Sequence, residues 1–392
     1  MAIDQTISTI GVVGGGQLAM MLAQAGSERQ VNVAVQAHSS SDPASEFASK
    51  VVCALPQDER GTKDLVDICK AITFENEWIN ISELHLLESK GAVFVPSISS
   101  LAPLVDKLSQ RKLLDDLNIP GPLWMPLESK EITPSSLPSG WTFPVMAKAT
   151  RGGYDGKGTR VLRNQQDLSE LIQSQDPKNW FLEEWISYES ELALVSSRDS
   201  QGIIRNFPLV ETKQINQVCD WVLAPAEVEH SVELMAINMA SSLLNELDYV
   251  GVLAIEFFLG NKGMLVNEIA PRTHNSGHFS IEACKSSQFD QQLCIAAGLD
   301  VEDAEMISPG ALMVNLLGQE EGASLSLSER VKVLRAEYGS NFHWYGKEFE
   351  APGRKMGHIT VLLLEENKAL RKEEAKKALK KIRSVWSLNV SL

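Results

Sequence analysis

The chain has 392 residues, of which 44% are hydrophobic and 22% are charged, a composition typical of folded soluble proteins. Lys and Arg number 36 against 51 Asp and Glu, and the net charge of −15 argues against non-specific binding of nucleic acid, although a local basic pocket would still accept an anionic substrate. No apolar run approaches the roughly 18 residues that cross a bilayer, the N-terminus lacks a signal-peptide pattern, and the five cysteines are scattered. We therefore expect a cytoplasmic protein with free thiols and with neither nucleic acid nor a membrane as partner.

The first hundred residues alternate between strand-like and helix-like segments. "TIGVVGGG" (9–16) indicates a buried strand that enters a glycine turn, and "QLAMMLAQAGSER" (17–29) indicates a helix. "VNVAVQA" (31–37) and "AITFENE" (71–77) indicate further strands. This alternation predicts a parallel sheet with crossover helices.

The glycine turn carries the spacing G-x-G-x-x-A at Gly14, Gly16 and Ala19. In a dinucleotide site this spacing is followed, about 20 residues on, by an acid for the ribose. Gln36 and His38 stand there instead, which argues against a nicotinamide or flavin site. Two interpretations remain: a tight turn that packs helix against strand, or backbone N–H groups that bind an anion at a helix N-terminus.

The rest of the chain mixes a linker, strands and helices. "SKEITPSSLPSGWTFP" (129–144) is rich in Pro and Ser and indicates a loop. The segments after it predict strands at "VMAKA", "WFLEEWI" and "ELALVSS", a helix at "SVELMAINMASSLLNELD", a hairpin at "YVGVLAIEFFLGNKGMLVNEIAPR", and one helix at "IEACKSSQFDQQLCIAAG". Towards the C-terminus we expect two strands within "FHWYGKEFEAPGRKMGHITVLLL" and a basic amphipathic helix with one packed stripe at "ALRKEEAKKALKKIRSV".

A lysine lies inside the apolar strand "VMAKA", directly before a glycine-rich loop. Lys148 shares a face with Met146, and a buried lysine is costly unless it is paired or bound to a ligand. The loop "RGGYDGKG" (151–158) offers backbone N–H groups together with the cations Arg151 and Lys157. These features indicate a loop that covers phosphates, and the alternative is a surface hairpin with a snorkelling lysine.

The predicted hairpin brings two carboxylates together. A three-residue loop at 261–263, with glycine at its last position, pairs Gly260 with Met264. This register places Glu256 opposite Glu268. Two like charges directly opposed across a ladder are destabilising, so they require a cation between them or a shared proton.

Magnesium is the cation that this pair would accept. Mg²⁺ prefers carboxylate oxygens together with substrate phosphates, and Asn267 beside Glu268 would add another oxygen. The alternative is that the register is slipped and both acids face solvent.

Other polar residues have weaker patterns. Glu183, Glu184 and Glu191 follow an apolar strand and would accept ribose hydroxyls, unless they are simply solvated. His274 and His278 have the i,i+4 spacing of a zinc site on a helix, but the Pro, Asn and Gly around them argue against a helix and favour hydrogen-bonded loop histidines.

In chain order these features resemble the ATP-grasp superfamily: a strand lysine, a glycine-rich phosphate loop, an E-E-x-I hinge and "AIEFF…LVNEIAPR". The match narrows to the N5-carboxyaminoimidazole ribonucleotide synthetases, which the chain resembles over nearly its whole length. The motifs that carry this resemblance are "GGGQLAMMLAQAG", "TFENE", "GGYDGKG", "NEIAPRTHNSGH" and "HWYGKEFEAPGRKMGH".

The resemblance implies a combined α/β and α+β architecture with an ATP-grasp fold. It implies an N-terminal Rossmann-like (preATP-grasp) domain at 1–107, an ATP-grasp domain at 108–300 with a mobile lid at about 130–190, a small C-terminal domain at 301–392, and a homodimer. The implied reaction consumes ATP and bicarbonate, with Mg²⁺, to form carboxyphosphate and ADP. Carboxyphosphate, through released CO₂, would then carboxylate the exocyclic amine of 5-aminoimidazole ribonucleotide in purine biosynthesis.

The resemblance also assigns roles to individual residues. The implied contacts with ATP are Lys107, Lys148, Gly152, Gly153, Gly156, Gly158, Glu183, Glu184, Trp185, Ile186, Glu191, Gln214, Asn267 and Glu268. The implied magnesium ligands are Glu256 and Glu268. The implied catalytic residues are Tyr154, Asp155, Lys157, Arg272 and Lys347, with Asp155 as acceptor of the amine proton. The implied contacts with the ribonucleotide are Gln17, Leu18, Glu75, His274, Asn275, Arg354 and Lys355.

The chain departs from the family pattern at two places. Ala19, Met20 and Met21 replace a Gly-Arg-Met sequence, and Gln214 stands where the family has a histidine. Three alternatives therefore stay open: an ATP-grasp formate-dependent glycinamide ribonucleotide transformylase, a degenerate paralogue that binds ATP, and an NAD-dependent oxidoreductase. "HWYGKEFEAPGRKMGH" argues against the first, the retained acids and lysines against the second, and the missing ribose acid against the third.

Overall fold

The computed structural model of the chain describes residues 8–127, 137–153, 158–319, 325–347 and 349–388. The predictions for Tyr154, Asp155, Gly156 and Lys157 lie outside the described residues. Within these ranges, every helix is too short or too polar to cross a membrane.

The N-terminal segments form a four-stranded parallel sheet, as the alternation predicts. Its order is β3-β2-β1-β4. The elements of this part are β1 (Thr9–Val13), α1 (Gln17–Arg29), β2 (Asn32–Ala37), β3 (Lys50–Cys53), α2 (Glu59–Val66), β4 (Ala71–Phe74), α3 (Ile81–Ser89), α4 (Ile98–Leu101) and α5 (Lys107–Asp116).

The glycine turn after β1 packs tightly and binds a carboxylate of the protein itself. Gly14 has a φ of +129°, which only glycine adopts readily, and the Glu75 carboxylate accepts from the N–H groups of Gly16 (2.6 Å) and Leu18 (3.1 Å). Gln36 is buried and donates to the carbonyl oxygens of Leu55 (2.6 Å) and Asp58. The turn therefore serves helix–strand packing, and its anion is Glu75.

A small antiparallel sheet follows, in the order β5-β8-β6-β7. Its elements are β5 (Trp124–Pro126), β6 (Val145–Ala149), β7 (Thr159–Leu162), α6 (Gln165–Ser174) and β8 (Trp180–Glu184). Strand β6 carries Lys148 directly before the glycine-rich loop, as predicted from "VMAKA".

A nine-stranded antiparallel sheet forms the rest of the molecule, in the order β14-β13-β9-β11-β12-β15-β17-β16, with β10 beside β9. Its elements are β9 (Ser190–Arg198), β10 (Ile204–Asn206), β11 (Val210–Ile215), β12 (Val218–Ala224), α7 (His230–Glu246), β13 (Gly251–Gly260), β14 (Gly263–Ala270), α8 (Ser280–Ala283), α9 (Gln288–Ala297), β15 (Gly310–Leu317), α10 (Leu327–Tyr338), β16 (Phe342–Trp344), β17 (Lys355–Leu363) and α11 (Lys368–Val385). Because β12 pairs with β15, this sheet runs without a break into the C-terminal segment.

The segment predicted as one helix at 281–298 is two helices, α8 and α9, so that expectation was wrong. Ser287 caps α9: its hydroxyl accepts from the Asp290 N–H (3.1 Å), while the Asp290 carboxylate accepts from the Ser287 N–H (2.9 Å). This reciprocal capping box starts a new helix at Gln288, so the helical pattern of the sequence is divided between α8 and α9.

The N-terminal sheet and the central part share one core. Helix α1 packs between its own sheet and α9, and the cluster contains Ile10, Leu22, Phe289 and Leu293. The C-terminal part has a core of its own, in which α10 and α11 pack on β15 and β17. Helix α11 buries Arg371, Ala375 and Ile382, which confirms the single packed stripe predicted for it.

Trp386, just after α11, is fully buried in this C-terminal core. Its indole N–H donates to the Leu317 carbonyl oxygen (2.8 Å), and the Arg330 guanidinium stacks 4.2 Å from the ring centroid. We expect Trp386→Ala to lower the free energy of unfolding by about 3–5 kcal/mol, because it leaves a cavity and an unpaired carbonyl.

Urea unfolding followed by circular dichroism measures this loss. Leu370→Ala is the matched control, because Leu370 is an exposed residue of α11 and its truncation should change the midpoint little. Equal midpoints for the two variants would contradict the buried role of Trp386.

Candidate active site

The hairpin of β13 and β14 brings Glu256 and Glu268 opposite each other, as predicted, but by a different route. Gly263 has positive φ (+83°), as the predicted loop requires, yet Gly260 pairs with Gly263, so the predicted pairing of Gly260 with Met264 was wrong. The ladder then shifts by one residue between Glu256 and Phe257. This β-bulge compensates for the difference at the turn and restores the Glu256–Glu268 pair.

The two carboxylates are half-buried, with 29% and 36% of their side chains exposed. Lys107 Nζ lies 2.7 Å from Glu268 Oε2, and His274 Nε2 lies 3.6 Å from Glu256 Oε1. Burial, and after it the charge of Glu268, raises the pKa of Glu256 to about 7. Although burial opposes it, the charges of Lys107 and Lys148 lower the pKa of Glu268 to about 2. The two carboxylates therefore differ in how readily they ionise, and a cation between them would favour the ionised form of Glu256 as well.

Lys148 is paired inside the protein, as a lysine in an apolar strand requires. Its Nζ lies 2.9 Å from Glu183 Oε2 and 3.0 Å from Asn267 Oδ1. Glu183 Oε1 lies 2.5 Å from Nε of Arg111, and the side chains of Lys148, Glu183 and Arg111 are only 9%, 3% and 5% exposed. Burial lowers the pKa of Lys148, although the negative charge of Glu183 opposes this shift. Burial would raise the pKa of Glu183, but the positive charges of Arg111 and Lys148 outweigh this effect and lower that pKa.

The three acids predicted to accept ribose hydroxyls have different environments. The structure corrects the prediction that Glu183 accepts ribose hydroxyls. Both of its carboxylate oxygens are bound to buried cations, so the side chain is not available to a ribose. Glu184 accepts from the Leu123 N–H (3.1 Å) and pairs with Lys262. Glu191 is hydrogen-bonded to the Tyr188 hydroxyl, and burial raises its pKa.

The remaining nucleotide positions flank these acids. Trp185 is exposed and Ile186 half-buried in the irregular segment after β8, and Gln214 follows an irregularity in β11 and hydrogen-bonds Glu191. Among the loop glycines, Gly152, Gly153 and Gly158 are described, and the Ala149 N–H donates to the Gly158 carbonyl oxygen (2.8 Å), so the loop begins and ends side by side. One pocket is lined by Lys107, Lys148, Glu183, Asn267 and Glu268 together with Gln110, Arg111 and Phe181.

A second group of predicted residues meets where the N-terminal and C-terminal parts touch. Lys347 Nζ donates to Gln17 Oε1 (2.9 Å) and to the Lys355 carbonyl oxygen (2.7 Å). Nε of Arg272 lies 2.8 Å from Glu77 Oε1. The structure thus brings the start of α1 against the loop between β16 and β17, although 330 residues separate Gln17 from Lys347.

Four predicted substrate contacts have partners within the protein. Glu75 is bound to the N-terminus of α1, where burial raises its pKa although three backbone N–H groups oppose the shift. Leu18 is buried in the core beside it. Asn275 is buried and exchanges side-chain hydrogen bonds with Asn315 (3.0 and 2.7 Å). Arg354 is exposed, and its guanidinium donates to the Phe349 carbonyl oxygen (2.6 Å). Their roles toward a substrate stay predictions.

The two histidines of "THNSGH" lie around a short 3-10 turn at Asn275–Gly277, which confirms that they are hydrogen-bonded loop histidines. His274 Nδ1 hydrogen-bonds the Ser276 hydroxyl (2.9 Å), and His278 Nδ1 the Gln288 side-chain amide (3.2 Å). His274 thereby keeps its other ring nitrogen on the side of Glu256.

The sequence interpretation missed two residues of this site, Arg111 and Glu77. Arg111 lies four residues after Lys107 on α5, so both side chains point to one face of the helix. That spacing of two cations was the available signal. Glu77 had no local signal, because its partner Arg272 lies in a distant segment.

Because Glu183 neutralises two buried cations, we expect Glu183→Gln to lower the free energy of unfolding by about 3–5 kcal/mol. The matched control is Glu184→Gln, the next residue of the same strand, whose partner Lys262 is largely exposed and whose loss should cost less than about 1 kcal/mol. Thermal unfolding at neutral pH separates the two variants. Similar melting temperatures would show that the buried charge network is not important for stability.

The comparisons with known proteins all indicate the same family. Three family models match: the ribonucleotide synthetase preATP-grasp domain at residues 7–103, the ATP-grasp domain at 112–289 and the phosphoribosylaminoimidazole carboxylase C-terminal domain at 311–372. The N5-carboxyaminoimidazole ribonucleotide synthase of Synechocystis sp. is 41% identical over 98% of this chain and 99% of its own length.

Solved structures agree with the sequence comparison. The N5-carboxyaminoimidazole synthetase of Staphylococcus aureus complexed with ADP is 31% identical, with a TM-score of 0.83 over 94% of this chain and 96% of that one. The Aspergillus clavatus synthase in complex with ADP and 5-aminoimidazole ribonucleotide is 26% identical, with a TM-score of 0.84 over 97% and 98%. With its three family-matched regions and its opposed carboxylates beside two lysines, the chain belongs to the N5-carboxyaminoimidazole ribonucleotide synthases, a family of ATP-grasp ligases.

Proposed function

We propose that this chain carboxylates 5-aminoimidazole ribonucleotide at the expense of ATP and bicarbonate, in purine biosynthesis. The observation that carries the proposal is the pocket that Lys107, Lys148 and Glu268 line together, with Glu256 directly opposite Glu268 on the neighbouring strand. Its support from relatives is the Synechocystis synthase at 41% identity and the Aspergillus structure that contains ADP and the ribonucleotide.

The phosphates of ATP would lie against Lys107 and Lys148. Lys148 and Arg111 carry two positive charges against the single negative charge of Glu183, so this buried group retains one positive charge for an anionic ligand. The adenine would lie along the segment from Glu183 to Ile186, and Glu191 would accept a ribose hydroxyl. The glycine loop that begins at Gly152 and ends at Gly158 would cover the phosphates.

The two hairpin carboxylates fit a magnesium ion, because they offer oxygen ligands directly opposed across a ladder, where they otherwise repel. Glu256 and Glu268 would hold the ion, and Asn267 would contribute from beside them. Bound there together with phosphate oxygens, Mg²⁺ would neutralise the charge that develops during phosphoryl transfer. In this state Lys107 would exchange its contact with Glu268 for one with phosphate.

In the first step, a bicarbonate oxygen bonds to the γ-phosphorus, the bond to the β-phosphate oxygen breaks, and carboxyphosphate and ADP form. In the second step, carboxyphosphate breaks into CO₂ and phosphate, the exocyclic amine nitrogen bonds to the carbon of CO₂, and the amine loses one proton. Lys347 and Arg272 would orient the bicarbonate-derived group, and Gln17, His274, Arg354 and Lys355 would hold the ribonucleotide. Tyr154, Asp155 and Lys157 lie outside the described residues, and their catalytic roles stay predictions.

The finer features complete the proposal. We propose the domain boundaries at 107/108 and 300/301, a homodimer, and a cytoplasmic location in which the five thiols stay free. A dinucleotide function is disfavoured, because Glu75 already occupies the N-terminus of α1 and Gln36 is buried against Leu55. A formate-dependent transformylase is disfavoured by the family match at 311–372.

The reaction is tested by ADP release with ATP, Mg²⁺ and bicarbonate, with and without 5-aminoimidazole ribonucleotide. We expect strong stimulation by the ribonucleotide and a loss of at least about 100-fold in Glu268→Gln, because the charge on the transferred phosphoryl group is no longer neutralised. Glu305→Gln, at an exposed position before β15, is the control that should keep full activity. Unstimulated ADP release by a protein that still binds ATP would overturn the proposed acceptor.

Binding of the ribonucleotide phosphate is tested separately at Arg354. We expect Arg354→Ala to raise the KM for 5-aminoimidazole ribonucleotide at least about tenfold, because one charge-assisted contact is lost, and to leave the KM for ATP within about twofold. Arg335→Ala, at an exposed cation of α10, is the matched control. A parallel rise in both KM values would contradict a specific contact between Arg354 and the ribonucleotide.

A further inference from the structure

Strand β14, which carries Glu268, is at the edge of the nine-stranded sheet. An edge strand has unpaired backbone groups on one side, and these need other partners when they are buried. Here the partners belong to helix α5 and to the segment that follows it, not to another strand. These partners determine the position of the C-terminal half of β14.

Gln110 and Pro120 supply three of these contacts. The side-chain amide of Gln110 both donates to the Ile269 carbonyl oxygen (2.8 Å) and accepts from the Ile269 N–H (3.1 Å). The Pro120 carbonyl oxygen accepts from the Val266 N–H (2.8 Å). These contacts pair regular positions of the strand on either side of the bulge.

Arg111 supplies the contact at the bulge itself. Its Nη1 donates to the Val266 carbonyl oxygen (2.7 Å) and its Nη2 to the Asn267 carbonyl oxygen (2.5 Å). In a regular strand successive carbonyls point to opposite sides, so one guanidinium reaches both only because the bulge turns them to the same side. The planar fork of arginine fits two such acceptors, and an ammonium group does not offer this geometry.

The bulge determines which face Glu268 occupies. From Gly260 to Phe257 the partners follow one register, and in that register Glu268 would lie opposite Ile255, which faces the core. Val266 and Ile269 both lie in that same core although they are three residues apart, which strict alternation does not allow. The extra residue at Asn267 therefore turns Glu268 out of the core and places it opposite Glu256.

We propose that Arg111 is a positioning residue of the metal site: its two-carbonyl contact holds the bulge that directs Glu268 into the cleft. The inference rests on the proposed function, in which Glu256 and Glu268 bind Mg²⁺. The same guanidinium binds Glu183 through Nε, so it also ties the carboxylate pair to the counter-ion of Lys148. A substitution at Arg111 must therefore keep a positive charge near Glu183 if it is to isolate the bulge.

Arg111→Lys meets that requirement. Binding of Mn²⁺ in the presence of ADP, followed by electron paramagnetic resonance of the free ion, reports the metal site without any turnover. We expect the Mn²⁺ dissociation constant to rise at least about tenfold in Arg111→Lys, as for other residues that orient a metal ligand, while metal-free ADP binding changes less than about twofold. Lys112→Arg, the reverse exchange at the neighbouring exposed position, should leave both constants unchanged.

Glu268→Gln and the double variant Arg111→Lys/Glu268→Gln complete a cycle. If Arg111 acts through Glu268, the double variant binds Mn²⁺ no more weakly than Glu268→Gln alone, whereas a general structural role gives additive losses. Normal Mn²⁺ binding by Glu268→Gln would refute the metal pair, and the role of Arg111 with it. A weakened Glu268→Gln beside a normal Arg111→Lys would refute the role of Arg111 only.

Folding is checked by thermal unfolding of each variant. If Arg111→Lys gives no cooperative transition, the double variant Arg111→Gln/Glu183→Gln replaces it, because neutralising both partners keeps the net charge of the buried group and still removes the two-carbonyl fork. The same tenfold rise in the Mn²⁺ dissociation constant is expected for it, and an unchanged constant would overturn the proposal.

Discussion

The ionic contact of Glu183 with Arg111 and Lys148 is the interaction on which the candidate site depends. Three charged side chains are almost fully enclosed there, and removing them from water is costly unless they neutralise one another. Two cations share one carboxylate, so the group retains a positive charge at the point where Lys148 faces the cleft. In the proposed function a phosphate group would supply the missing negative charge, so the network would be both a structural feature and a binding site for an anion.

This network also fixes the distance between two separate sheets. Lys148 and Glu183 belong to the small sheet, whereas Glu256 and Glu268 belong to the edge of the large one. Helix α5 lies between them and contacts both through Arg111 and Lys107. In the proposed reaction a phosphoryl group would meet the lysines and the carboxylates at the same time, so the position of α5 would determine whether the two halves of the site act together.

Residues predicted to contact the substrates meet from segments that are distant in the sequence. Lys347 reaches Gln17 at the start of α1, and Arg272 reaches Glu77 after β4. These two contacts join residues of the first family-matched region to residues of the third and of the second. In the proposed reaction, exclusion of water there would protect carboxyphosphate, because the intermediate hydrolyses when water has access to it.

The amino-acid sequence determined the parts of this protein that depend on local patterns. Hydrophobic periodicity predicted β1, α1 and β2, and the glycine of the 261–263 turn together with an acid on each arm predicted the Glu256–Glu268 pair. It also indicated that Lys148 needed a partner. The tertiary structure alone decided that the partner is Glu183, that the bulge at Asn267 sets the register, and that Glu75 binds the N-terminus of α1. The contacts that hold these features join segments that are far apart in the chain. Such contacts depend on how whole elements pack, and the periodicity of a local segment does not report that packing.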